Sequence, residues 1–274
     1  MPANPLQLRQ IADTSIYVSP VGLGTVKLGR DQGVKYPTAF VIPSDKEASN
    51  LISCAKELGI NLIDTAPAYG NSEERLGYLL KGQRQDWVIC SKVGEEFSAG
   101  ISSHNFTPAH AKQSIERSLQ RLNTDYIDMV LVHSDGKDLE IIQNSGLLEL
   151  LAECKKQGTI RSFGMSTKTL AGGLLAAEKC DVVMLTYNLT QQEEKPILDF
   201  CQLHHKAALI KKAYASGHLS SSAHADPVQA SLELIFSHPG TTSVIIGTIN
   251  QQHLKDNVAK TVKAIASARQ LGQL

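Results

Sequence analysis

Four side chains in this sequence could together move a proton: Asp64, Tyr69, Lys92 and His133. Asp64 ends the apolar run Asn61-Leu62-Ile63-Asp64, and Lys92 ends Trp87-Val88-Ile89-Cys90-Ser91-Lys92. His133 closes Ile127-Asp128-Met129-Val130-Leu131-Val132-His133. Tyr69 follows Asp64 in a stretch broken by Pro67 and Gly70. An ammonium beside a phenol favours phenolate, so Lys92 is expected to lower the Tyr69 pKa from its usual value of about 10. A carboxylate would hold that lysine charged and in place. A histidine could hydrogen-bond the oxygen that the tyrosine protonates. Such a group suits general acid catalysis at a carbonyl receiving a hydride. Each residue also has a plainer reading. Asp64 could cap a helix, Lys92 could reach solvent along its stem, His133 could be a satisfied core histidine, and Tyr69 could be a loop aromatic. A lysine ending a buried strand, however, needs a counter-charge.

The elements that must position these residues alternate. Leu6 to Val18 reads as two short strands around a turn at Ala12-Asp13-Thr14. Strands are expected at Val21–Thr25, Asn61–Asp64, Trp87–Lys92, Ile127–His133, Ile160–Met165, Val182–Leu185, Ala207–Lys211 and Ser243–Ile246. Each is short and apolar, as expected when both faces are buried. Helical spacing follows each one: Asp45–Leu58, Ser72–Leu80, Thr107–Leu122, Gly146–Gln157, Lys168–Glu178, Gln191–His204, Pro227–His238 and Gln252–Leu271. Ser44 and Thr107 are expected caps, and Gly59 and Gly158 expected stops. Four connections are expected to be loops that shape a pocket: Lys27–Pro43, Gly94–Thr107, Ser134–Ser145 and Ser216–Pro227. No long C-terminal loop is expected after the last helix.

Eight such units fit one (β/α)8 TIM barrel with an N-terminal β-hairpin, a single domain over residues 1–274. A doubly wound open sheet competes, but Gly22-Leu23-Gly24-Thr25-Val26-Lys27 lacks the third glycine of its phosphate-binding turn. In a barrel all strand C-termini share one rim. The tips deliver Thr25, Asp64, Lys92, His133, Ser166, Asn188, Lys211 and Thr248. At the last strand, Gly247-Thr248 and the start of the next helix offer backbone N–H groups to a phosphate.

Bulk composition narrows the setting. Of 274 residues, 42% are hydrophobic, which suits a folded globule. Lys and Arg total 27 and so do Asp and Glu, so nothing suggests a nucleic-acid surface or a polybasic membrane patch. The apolar runs are too short to span a bilayer, and the N-terminus lacks a signal-peptide pattern. Five scattered cysteines without a Cys-x-x-Cys pair read as reduced core thiols in a cytoplasmic protein, with no metal site.

The ordered motifs carry a family resemblance. They are Asn61-Leu62-Ile63-Asp64-Thr65-Ala66 with Tyr69-Gly70-x-Ser72-Glu73 and Leu76-Gly77; Ser91-Lys92-Val93-Gly94; Asp125-Tyr126-Ile127-Asp128 running to His133; Gly158-x-Ile160-Arg161-x-x-Gly164-x-Ser166; and Val244-Ile245-Ile246-Gly247-Thr248 with Asn257. On these residues the chain resembles a divergent, bacterial-type aldo-keto reductase, from about residue 20 to 260. The resemblance implies a barrel binding a nicotinamide cofactor without a Rossmann domain, with NADP favoured and NAD possible. It implies Tyr69 as proton donor, Asp64 and Lys92 as its tuners, and His133 as the substrate-orienting partner. Cofactor contacts are expected at Gly24, Thr25, Ser166, Lys211, Gly217, Gly247, Thr248, His253 and Asn257. Several positions depart from the family. Thr167 stands where an asparagine is usual, Met184 where a glutamine is, and Lys211 where an aromatic stacks on nicotinamide. Lys211 or Lys212 would then meet the cofactor's phosphates or face solvent. His253 stands where an arginine often grips the 2′-phosphate. The expected substrate is a small carbonyl compound, sugar or alcohol, and a monomer is favoured. A nicotinamide-binding redox sensor or accessory subunit with little turnover is the alternative. A lyase or isomerase on the same barrel would bind no nicotinamide at all.

Overall fold

The computed structural model describes residues 6–219 and 225–273. Eight parallel strands close into a barrel in chain order: Val21–Gly24, Leu62–Asp64, Val88–Val93, Ile127–His133, Ile160–Ser166, Val182–Thr186, Ala207–Lys211 and Ser243–Ile246. The last strand closes on the first through Val244↔Val21, Ile245↔Gly22 and Ile246↔Leu23. No open edge remains in that sheet, and the doubly wound alternative is excluded. At the level of units the expected barrel and hairpin are both present. The hairpin pairs Arg9–Gln10 with Tyr17–Val18 across the anticipated turn.

Local chemistry explains the boundaries. Helix Asp45–Glu57 starts at a capping box, with the Ser44 hydroxyl accepting from the Glu47 backbone and the Glu47 carboxylate reaching back. Thr107 caps Pro108–Leu122, and Asn123 ends it in a left-handed conformation. Gly158, also left-handed at φ 82°, stops Leu147–Gln157.

Two cores result. One lies between strands and helices and includes Leu51, Ile63, Ile115, Val130, Leu151, Ile210 and Phe236. The other fills the barrel with Leu62, Cys90, Met129, Leu131, Val182, Met184, Ala207 and Leu209, and Ile11, Ile16 and Val18 of the hairpin join it. The hairpin is thus a plug for the barrel interior. All five cysteines are buried and unpaired. No helix among the described residues is long and apolar enough to cross a membrane.

Four connections differ from expectation. A short helix, Val26–Gly29, opens the Lys27–Pro43 segment. The Gly94–Thr107 segment folds into an antiparallel hairpin, Glu95–Ser98 with Ile101–His104. Ser134–Ser145 contains the helix Asp138–Asn144. The sixth helix starts at Lys195 rather than Gln191, because Pro196 fits only the first turn and Asn188 with Gln191 forms a β-bridge before it. In the Ser216–Pro227 segment, positions 220–224 lie outside the described residues.

Candidate active site

The second, third and fourth strands end beside one another, so Asp64, Lys92 and His133 meet at one mouth of the barrel. Lys92 is 1% exposed. Its ammonium donates to Asp64 Oδ1 at 2.5 Å and to the Thr65 carbonyl at 2.9 Å. A buried lysine is costly unless paired, and here two of its three N–H donors are used. Burial works against its charge, but Asp64 above all, with Tyr69, raises its pKa beyond the ordinary lysine value. The surface-lysine reading of Lys92 is therefore excluded.

Tyr69 lies over this pair. The Lys92 nitrogen is 4.8 Å from the centre of its ring. The His133 ring stands edge-on to Tyr69, 6.1 Å between centres. Tyr69 is held by its loop. Gly70 adopts φ +62°, and a Cβ there would fall 2.0 Å from the Gly29 carbonyl. Hydroxyls of Thr65, Ser72 and Thr25 form a buried chain beneath the same loop, and Thr25 donates on to the Asp64 carbonyl. The expected lowering of the Tyr69 pKa does not occur. Burial raises it above the ordinary phenol value, and the Asp64 charge adds to that rise. Lys92 opposes the shift without cancelling it.

His133 meets a residue that sequence reasoning missed. Its Nδ1 is 2.8 Å from Glu95 Oε2, at ion-pair distance though not in line for a full hydrogen bond. Glu95 comes from the hairpin that replaces the expected loop. It accepts from Ser102 Oγ at 2.7 Å, and Arg30 lies 3.7 Å away. Burial disfavours the Glu95 charge, but the His133 contact and Ser102 draw its pKa down to about 2. Burial lowers the His133 pKa, aided by Lys92, while Glu95 resists. The one sequence signal for this hairpin is Gly100 at its turn, where Ala99 and Gly100 both adopt positive φ. The flanking strands are largely exposed and show no alternation.

Asp64, Tyr69, Lys92 and His133 line a cavity of about 650 Å³, within the range for small-molecule sites. Gly24, Thr25, Ser166, Lys211, Gly217 and Gly247 also line it. Lys211 does not face solvent. Its nitrogen donates to Ser166 Oγ at 2.9 Å and to the Thr167 carbonyl at 2.6 Å. Burial lowers its pKa to about 7, against the pull of Glu194. Met184 belongs to the barrel interior and forms apolar floor. Tyr36 and Lys168 reach the cavity unanticipated, and Lys212 lines it beside Lys211. Among the described residues, the ammonium groups of Lys168 and Lys212 have no hydrogen-bond or ion-pair partner. That surplus of cations fits a polyanionic, pyrophosphate-bearing cofactor.

The last-strand expectations fare differently. Thr248, His253 and Asn257 are not among the cavity-lining residues. The Gln252 and His253 N–H groups are already taken by the Asn250 side chain, so the helix start offers fewer donors than anticipated. Thr248 Oγ1 accepts from the Asn250 backbone, and His253 is exposed. Asn257 is buried and accepts from the Tyr214 hydroxyl at 2.8 Å. Asn188 is spent within the chain, accepting from Thr190 and Gln191 and donating to the Lys212 carbonyl at 2.9 Å. No group of His, Cys, Asp and Glu among the described residues could hold a metal ion.

A closed parallel barrel with an acid, lysine, tyrosine and histidine at one mouth defines a class, and the chain belongs to the aldo/keto reductase family. Residues 20–224 match that family. The chain is similar to aldo-keto reductase YhdN of Bacillus subtilis, 30% identical over 204 residues, which are 72% of this chain and 59% of the relative. D-arabinose 1-dehydrogenase of Saccharomyces cerevisiae is 31% identical over 66% of this chain and 57% of its own. The match therefore spans a little under three fifths of either relative's length. A Pseudomonas aeruginosa crystal structure, itself provisionally assigned as an aldo-keto reductase, is 51% identical with a TM-score of 0.86, covering 94% of this chain and 95% of that one. AKR11C1 of Bacillus halodurans, at 24% identity and TM-score 0.77 over 96% of both chains, shares the fold.

Proposed function

We propose that this protein interconverts a small aldehyde, ketone or sugar carbonyl with its alcohol, using NADP(H) or NAD(H), and that Tyr69 donates the proton. The observation carrying this reading is the buried Lys92–Asp64 pair beneath Tyr69, with His133 across the ring. When bound, the nicotinamide group supplies or accepts the hydride. The chain's own residues do the rest. Tyr69 keeps its proton through the neutral range and can release it to an oxygen that gains charge. Lys92, held charged by Asp64, stabilises the phenolate left behind. His133 borders the same space and helps to seat the substrate. Lys168 and Lys212, whose ammonium groups have no partner among the described residues, supply positive charge for the cofactor's phosphates, and Lys211, Ser166 and Gly247 line the same cavity. NADP is favoured over NAD on family grounds, although no arginine occupies the position that His253 fills.

Tyr69→Phe is the direct test. NADPH and NADH are titrated against wild type and variant by fluorescence, and a panel of aldehydes and sugars is then turned over. Both proteins are expected to bind cofactor, while the variant loses roughly 10² to 10⁴ of kcat. Unchanged turnover would remove Tyr69 from the proton-donor role. Tight cofactor binding without wild-type turnover would favour a redox sensor or accessory subunit.

A further inference from the structure

A second cavity, of about 750 Å³, lies at the foot of the barrel, against the hairpin that plugs it. Its walls come from the hairpin's first strand, from the segments just before the seventh and eighth barrel strands, and from the last helix, Gln251–Gln270. Arg9, Lys206 and Arg269 border it, with His205 beside them, and Asp13 is the one acid among the lining residues. Neither these three cations nor Asp13 forms an ion pair among the described residues. Apolar surface adjoins the charges: Leu8, which is 42% exposed, and Ile265 of the last helix.

Each arginine has a structural task. Arg9 donates from Nη1 to the Thr241 carbonyl and lies over the Phe236 ring, 5.2 Å from its centre. Arg269 donates to Gln7 Oε1 at 2.6 Å and sits in the last turn of its helix, where a cation suits the dipole. These tasks use one N–H of each guanidinium among the described residues, and a guanidinium carries five. Neither hydrogen-bond partner is an anion. Burial first, and then the charge of Arg269, draw the Arg9 pKa down to about 10. A guanidinium held partly out of water, in the field of a second one and with no carboxylate paired to either, is unfavourable by itself. An anion between the two removes that cost, and a phosphate matches the donor fork of both.

We propose that this cavity binds an organic phosphate, with the phosphate group held between Arg9 and Arg269 and the uncharged body against Leu8 and Ile265. The cavity is far larger than one inorganic phosphate and falls within the range for small-molecule sites. Such a ligand ties the N-terminal hairpin to the last helix, because Arg9 belongs to the one and Arg269 to the other. It sits at the opposite end of the barrel from Tyr69, so it stands whether or not Tyr69 is the proton donor.

Phenyl phosphate and inorganic phosphate are titrated into the full chain by calorimetry, with phenol as the uncharged control. Phenyl phosphate is expected to bind more tightly than inorganic phosphate, and phenol not to bind. Arg269 is exposed, so Arg269→Gln is expected to fold and to weaken phenyl phosphate about ten- to hundredfold, the loss of charge-assisted hydrogen bonds. Arg9→Lys keeps the charge but loses the fork, and is expected to weaken it as well. Lys168 and Lys212 at the barrel mouth can also take a phosphate, so Lys168→Gln/Lys212→Gln is the control, expected to keep the wild-type affinity. Hydrogen exchange then locates the ligand without any variant. Slower exchange in the N-terminal hairpin and the last turns of the final helix supports the proposal, and protection confined to the mouth overturns it. Affinity lost in the lysine control but kept in Arg269→Gln overturns it too, as does the absence of saturable binding to the wild type. Equal affinity for phenyl and inorganic phosphate refutes the organic body.

Discussion

Two opposing influences meet at the Tyr69 oxygen. Lys92 draws its pKa down, and burial beside Asp64 pushes it up and prevails. A proton donor must be protonated to act, so a raised pKa widens its working range upward. Reductive kcat/KM is expected to show no alkaline limb from Tyr69 below about pH 10, the ordinary phenol value. A fall centred well below that would contradict the burial argument. Lys211 behaves in the opposite sense. Its folded pKa of about 7 lies below the ordinary 10.5. Between those values the unfolded chain holds a proton that the folded chain has released, so stability is expected to rise with pH across that window. Lys211→Met is expected to flatten the rise, read as urea midpoints at about pH 6 and about pH 9. An unaltered slope would show that this lysine titrates normally. The residue types at both positions were legible in the sequence. The sign at Tyr69 was not, because desolvation depends on what covers a group, and that cover comes from distant segments.

At the scale of elements, the loop after the second strand sets the tyrosine. Gly29 and Gly70 pack backbone against backbone, and either would clash if it carried a Cβ. Gly70 also needs a left-handed conformation. Gly70→Ala is expected to cost at least ~2 kcal/mol and to displace Tyr69, so kcat should fall more than the stability loss alone explains. Unchanged kcat with a shifted melting point would assign Gly70 to stability only. The strands and most helices could be read from apolar runs and caps. The hairpin carrying Glu95 escaped because its strands are short and exposed, and short two-stranded ribbons leave a weak periodic signal. The helix start near His253 was expected to offer its N–H groups to a phosphate, and two of them are taken within the chain. Asn250 occupies those two, and only the cap geometry reveals that.

Across the whole molecule, the N-terminal hairpin closes the barrel opposite the mouth. Ile11 is fully buried and joins the interior core with Val182, Met184 and Leu209. Ile11→Ala is expected to destabilise the protein by about 3 kcal/mol in urea unfolding. Cofactor affinity should change little, because the plug and the cavity lie at opposite ends of the core. A large loss of affinity without a loss of stability would contradict that separation.

The sequence by itself determined the eightfold alternation, the parallel barrel and the meeting of Asp64, Lys92 and His133 at one rim. Those follow from local patterning, since apolar runs mark strands and a closed parallel sheet brings every strand end to the same face. Tertiary structure alone decided the protonation of Tyr69, the partners of Lys211, the exclusion of Thr248, His253 and Asn257 from the cavity, and the pairing of Glu95 with His133. Each of these depends on burial or on a contact between segments far apart in the chain, and neither is encoded in residue spacing.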